Sequence, residues 1–279
     1  LLRAAGELFD RIVDRRLLVR RMYLVAEHVL PEQDAQPAEE FCQLSLFSDD
    51  PETQPAQPPE EAARERSMQQ TLLAIREKYG KDFTPYNVSV SWMDYQPKFA
   101  YCTAERVAFC NFVKGFTPPE SAKYKNPYRE WIGAQIRGDY WGYINPANPE
   151  LAAEMAWRDA SISHIKNGIY GEMFVAAMLA NAAVTSNLEE IILSGLAQIP
   201  STSRLYKSVT DIMNKFKSGV SEEETFAYIH SCYDEHTGYG WCHTISNAMI
   251  VVASLLYGGG DYAKSICRAV QTCFDTDCN

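Results

Sequence analysis

A mainly helical protein is what this sequence predicts, and three observations carry the expectation. Apolar residues recur at helical spacing through most of the chain, strand-like alternation is confined to one short stretch near the N-terminus, and 46% hydrophobic content over 279 residues suffices for a packed core. From about Phe83 onward the candidate helices are Pro149 to Ala160, Tyr170 to Val184, Asn187 to Ala197, Ser203 to Lys217, Glu222 to Cys232, Thr244 to Tyr257 and Tyr262 to Thr272. Turns rich in Pro, Asn and Gly separate them. The predicted architecture is therefore an all-α domain over residues 83–279 behind a small α+β appendage.

The appendage begins with Leu1, Ala5, Leu8, Phe9 and Ile12 at helical spacing. The period then changes. Between Leu18 and Leu30, Met22, Leu24, Ala26, His28 and Leu30 alternate with Arg21, Tyr23, Val25, Glu27 and Val29, the pattern of a strand. Residues 31–63 hold nine acidic residues, no lysine or arginine, and six of the fourteen prolines, so this stretch reads as an acidic linker with no core of its own. One apolar island, Cys42 to Phe47, interrupts it. In residues 64–82, Met68, Leu72, Ile75 and Tyr79 return to helical spacing, and Gly80 supplies a C-terminal stop. No internal repeat is present, which excludes a solenoid.

A net charge of -10 and a pI near 5.1 exclude a protein that coats nucleic acid with its whole surface, so any such contact must be local. No run of about 18 apolar residues occurs and the N-terminus lacks a signal-peptide pattern, which predicts a cytoplasmic protein without membrane partners. The eight cysteines are scattered, form no CxxC pair and lie far from zinc spacing with the histidines, so they read as thiols.

The stretch LFDRIVDRRLLVRRMYLVAEHVL, with QLSLF and RSMQQTLLAIREKYGKD after it, resembles the little-finger end and tail of bacterial Y-family DNA polymerases over residues 1–82. Arg15, Arg16, Arg20 and Arg21 cluster where guanidinium groups reach successive phosphates, or else form a solvated face; the resemblance implies weak DNA contact. Gln43, Leu44, Ser45, Leu46 and Phe47 are similar to the pentapeptide that docks such polymerases on the sliding clamp; the alternative is an anchor folding back on its own domain. The polymerase's metal-binding carboxylates precede this region in the family and are absent here, so no polymerase activity is expected.

Asn126 to Val184 and His243 to Asn279 resemble the ADP-ribosylglycohydrolase family, and the likeness runs from about residue 86 to the end. It rests on separated motifs in family order: an arginine loop, Pro146-x-x-Pro149-Glu150, Ala160-x-x-Ser163-His164, and Asp275-Thr276-Asp277. The resemblance implies an all-α orthogonal bundle holding two Mg²⁺ ions, and hydrolysis of an ADP-ribosyl-type glycosidic bond in an ADP-ribosylated substrate or a related nucleoside derivative. Asp275 and Asp277 map on the family's C-terminal metal-ligand pair; without that likeness they would read as a solvated helix end. Arg137, Gly138 and Asp139 occupy a substrate-contacting loop, and His164 the Ser/Thr-His element beside the cleft. As residues alone, Ser163 reads as a helix cap, and His164 as a structural histidine ahead of a catalytic base. Cys278 stands where a threonine or serine is common in the family, which removes a hydroxyl ligand.

The family's opening helix and its Thr-Asp-Asp cluster are expected before residue 86, where the polymerase-like tail stands, and family members continue beyond Asn279. The sequence therefore predicts a weakened Mg²⁺ site and impaired hydrolysis in this chain. The rival expectations are a replication accessory fragment acting through residues 1–82, and a non-physiological fusion of two gene fragments.

Overall fold

A computed structural model describes residues 71, 75, 77–96, 101–233 and 240–279. The predicted N-terminal helix and strand, the linker, the arginine corner and the clamp-like pentapeptide lie outside these residues. Among those described the protein is helical, and its one β pairing is an isolated bridge between Trp131 and His243.

Helix α1 (Pro85–Tyr95) starts where Thr84 and Asn87 form a reciprocal capping box, with Pro85 already set to helical φ. Helix α2 (Thr103–Val113) follows, then the short α3 (Glu120–Lys123), a 3-10 turn Gln135–Arg137, and α4 (Asp139–Tyr143). Helix α5 (Pro149–Ala160) is capped by Asn148, whose side chain accepts from the Leu151 N–H. Helices α6 (Asn167–Ala182), α7 (Leu188–Ala197), α8 (Arg204–Lys217), α9 (Glu222–Cys232), α10 (Thr244–Gly258) and α11 (Tyr262–Gln271) complete the order. Asn187, Ser203, Ser221 and Asp261 cap α7, α8, α9 and α11, so the predicted boundaries of these helices come within a residue or so of those observed. Helix α10 stops at Gly259, which takes the left-handed conformation (φ 61°).

Two apolar clusters fill the interior. In one, Phe174, Ile192, Leu205, Val209, Ile212, Ile245 and Ile250 bring together α6, α7, α8 and α10. In the other, Phe83, Trp92, Phe109, Trp141, Met155 and Ile162 join α1, α2, α4 and α5, with Phe83 stacked on Trp141 at 4.9 Å. Ile75, on the segment expected to be a polymerase-tail helix, is fully buried in this second cluster, and Tyr79 packs against it. Helix α6 belongs to both clusters: Phe174 faces the first, Ala176 and Ala180 the second. Its small residues permit this double duty, because backbones can approach closely where no large side chain stands.

Candidate active site

The site is built where two loops are zipped together. The Ile132 N–H donates to the Cys242 carbonyl (2.8 Å), the Thr244 N–H to the Glu130 carbonyl (3.2 Å), and the Thr244 hydroxyl to the Trp131 carbonyl (2.8 Å). His243 caps α10 by accepting the Ile245 N–H on Nδ1 (3.2 Å). Burial holds its imidazole acid down to about pKa 4, consistent with an Nδ1 that must stay an acceptor.

Asn247, fully buried one turn into α10, carries the C-terminal loop. Its amide donates to the carbonyls of Trp241 and His243 (both 2.9 Å), and its oxygen accepts the Asp275 N–H (3.1 Å) and the Asn279 side-chain amide (2.8 Å). Just before Asp275 the chain turns sharply, with Cys273 and Phe274 both at positive φ (69° and 60°). Such backbone costs about 1–3 kcal/mol per residue. The cost is offset by burying Phe274, which packs on His230 with ring centroids 4.9 Å apart.

This turn brings Asp275, Asp277 and Cys278 together: one ligand atom from each lies within 4.8 Å of the others. Asp275 is buried, and desolvation pushes its carboxyl up to about 6, against the hydrogen bonds from the Cys242 and Cys278 thiols that favour its charge. Both thiols are themselves raised, first by burial and then by the Asp275 charge. Two carboxylates and a thiol this close, partly withdrawn from water, present the oxygen-rich donor set that a divalent cation satisfies.

A second, largely internal cluster lies beside it. Arg137 donates through Nε to Asp159 (2.5 Å), through Nη1 to Glu105 (2.8 Å) and through Nη2 to the Ser163 hydroxyl (3.0 Å), and its Nε is 3.8 Å from Glu172. The Ser163 hydroxyl, which accepts from Arg137, also shares a hydrogen bond with His164 Nδ1 (2.8 Å), and His164 Nε2 stands 3.9 Å from Glu105. Burial lowers the His164 pKa well below its usual value, and the Arg137 charge lowers it further. Burial, and then the Asp159 charge, raise the Glu172 pKa well above its usual value, opposed by Arg137. Burial also raises Glu105, opposed by Arg137. Glu105 joins the two clusters, since its charge acts on the Cys278 thiol as well.

The sequence-predicted residues thus divide. Asp275 and Asp277 meet at one point. Arg137 is largely withdrawn from solvent, its side chain 11% exposed, with its donors taken by protein groups, so its guanidinium faces inward; Gly138 packs on Glu172, where an added Cβ would stand 3.0 Å from Cγ. Asp139 is exposed at the start of α4, where it accepts its neighbour Tyr140's N–H (2.8 Å). His164 is fully buried, and Ser163 does not cap a helix: both lie on the turn after α5, where the His164 N–H donates back to the Ala160 carbonyl (2.8 Å). The cap of α6 falls instead at Lys166, which supplies no side-chain bond. Glu105, Asp159 and Glu172 are the site residues that sequence reasoning missed. Their signal was a carboxylate set among small and apolar helix residues.

A family model for ADP-ribosylglycohydrolase matches residues 35–279. The chain belongs to the ADP-ribosylglycohydrolase family. The match begins some fifty residues upstream of the boundary read from the motifs and takes in the clamp-like pentapeptide and the segment carrying Ile75. No curated protein and no solved structure gives a match, and the polymerase resemblance, with its clamp and DNA partners, gains no support. No helix among the described residues is long and apolar enough to cross a membrane.

Proposed function

We propose that this ADP-ribosylglycohydrolase-family chain cleaves an ADP-ribosyl glycosidic bond with the help of divalent cations, Mg²⁺ being the ion the family implies. The observation that carries the reading is the convergence of Asp275, Asp277 and Cys278 on a shared point beneath a strained turn. Asp275 and Asp277 would hold the metal, which at such a site lowers the pKa of bound water and screens the charge that develops as the glycosidic bond breaks. Asn247 fixes the backbone from which both carboxylates project. Arg137 orients Glu105 toward the same region while keeping Asp159 and Glu172 compensated. Asp139, exposed at the start of α4, would be the carboxylate nearest to substrate on this side of the site.

The test combines binding with turnover. Calorimetry should show ADP-ribose binding that needs a divalent cation and is abolished by EDTA, and release of ADP-ribose from ADP-ribosylated protein should follow the same dependence. Asp275→Ala and Asp277→Ala should each weaken both by about 100-fold or more, the scale expected when a metal's anchoring carboxylate is lost. Binding and turnover that persist unchanged in EDTA would refute the reading.

A further inference from the structure

We infer that Cys278 is a metal ligand in its own right, making this centre selective for thiophilic divalent cations of the Zn²⁺ and Co²⁺ class over Mg²⁺. The inference rests on the proposed metal site and assigns its ion class. Cys278 is not an adjacent bystander: its ligand atom lies within the same 4.8 Å group as those of Asp275 and Asp277, and its N–H donates to the Asp275 carbonyl (3.0 Å), closing the turn that carries all three side chains.

The chemistry follows from donor softness. Mg²⁺ demands oxygen ligands in near-octahedral array and gains little from sulfur, whereas Zn²⁺ and Co²⁺ accept mixed sulfur and carboxylate donors at four-coordinate sites. Two carboxylates, one thiolate and one water make such a set; the thiol proton passes to solvent as the ion binds. The Cys242 thiol, hydrogen-bonded to Asp275, stands outside the set as an orienting partner.

Titrating the full chain with Co²⁺ under reducing conditions tests this, because a Co²⁺–thiolate bond gives an intense near-ultraviolet charge-transfer band that oxygen ligands do not. The band should appear at one equivalent, survive Cys242→Ser and disappear in Cys278→Ser, while Cys278→Ser keeps its helical circular dichroism and still binds a divalent cation. Zn²⁺ should displace Mg²⁺ from the wild-type protein at least about 100-fold more readily than equal concentrations would dictate, and Cys278→Ser should cut that preference by about 10-fold or more. Co²⁺ binding without the band, or a band unaltered in Cys278→Ser, would overturn the assignment of Cys278 and leave the metal reading intact. Failure of Mg²⁺, Mn²⁺ and Co²⁺ alike to bind would overturn both.

Discussion

At the scale of single residues, His243 shows how a side chain can be locked in one state by its neighbours. Its Nδ1 must accept the Ile245 N–H to cap α10, and burial sets its pKa near 4. A histidine whose folded pKa lies below the unfolded value of about 6.5 stabilises the fold above that value, and the contribution drains away as pH falls toward 4, since the unfolded chain takes the proton first. The wild-type protein should thus lose about 2 kcal/mol more than His243→Asn between pH 7 and pH 4.5, because asparagine keeps an accepting oxygen without a titrating ring. Urea unfolding at the two pH values measures the difference, and equal losses would show that His243 does not titrate as described. Among the site residues, Asp275 and Asp277 stood out in the sequence through their likeness to a family motif, which is local, two positions apart on one turn. Glu105, Asp159 and Glu172 were not, because what unites them is a single guanidinium reached from three separate helices.

At the scale of elements, legibility in the sequence differed from helix to helix. Helix α8 repeats Leu205, Val209, Ile212 and Met213 on one face between Ser203 and the basic residues Lys215 and Lys217, so period, cap and charge agree. Helices α1 and α2 are absent from the predicted set; α1 buries Ser89 and Ser91 beside Val88 and Trp92, and α2 buries Glu105 and Asn111 beside Phe109, which blurs the apolar stripe. Helix α6 is apolar on several sides, and its length was read while its start was misplaced by three residues. Its double contact depends on Gly142 of α4, where an added Cβ would stand 2.6 Å from Leu179 Cβ and 2.8 Å from the Ala176 carbonyl oxygen. A backbone oxygen inside a helix shared by two cores has nowhere to move. Gly142→Ala should cost about 1–3 kcal/mol in urea unfolding, whereas Gly219→Asn, at a positive-φ turn with open space around it, should cost under about 1 kcal/mol. Equal effects at the two glycines would show that the α4–α6 contact is not tight.

At the scale of the whole molecule, Arg137 is the charge on which the fold around the site is balanced. It comes from the turn before α4 and reaches Glu105 on α2, Asp159 on α5 and Glu172 on α6, so four segments of the helical assembly meet at one guanidinium. Three buried carboxyl groups against one cation crowd like charges out of water, and the Glu172 pKa is accordingly raised by burial and by Asp159. Replacing Arg137 by alanine leaves the acids without their counter-charge in a desolvated space, which should cost about 3–5 kcal/mol near pH 8. The sign of the pH dependence follows. Arg137 lowers the pKa of both Glu105 and Glu172, so its removal lifts both further above the unfolded value near 4.5. The folded variant then binds more protons than the unfolded chain between those folded values and 4.5, and its stability rises as pH falls through that window. The deficit of Arg137→Ala relative to wild type should therefore shrink by at least about 1 kcal/mol from pH 8 to pH 5.5. Chemical unfolding at both pH values decides it: a deficit below about 1 kcal/mol at pH 8, or one that does not shrink on acidification, would mean that Arg137 is not the compensating charge of this core.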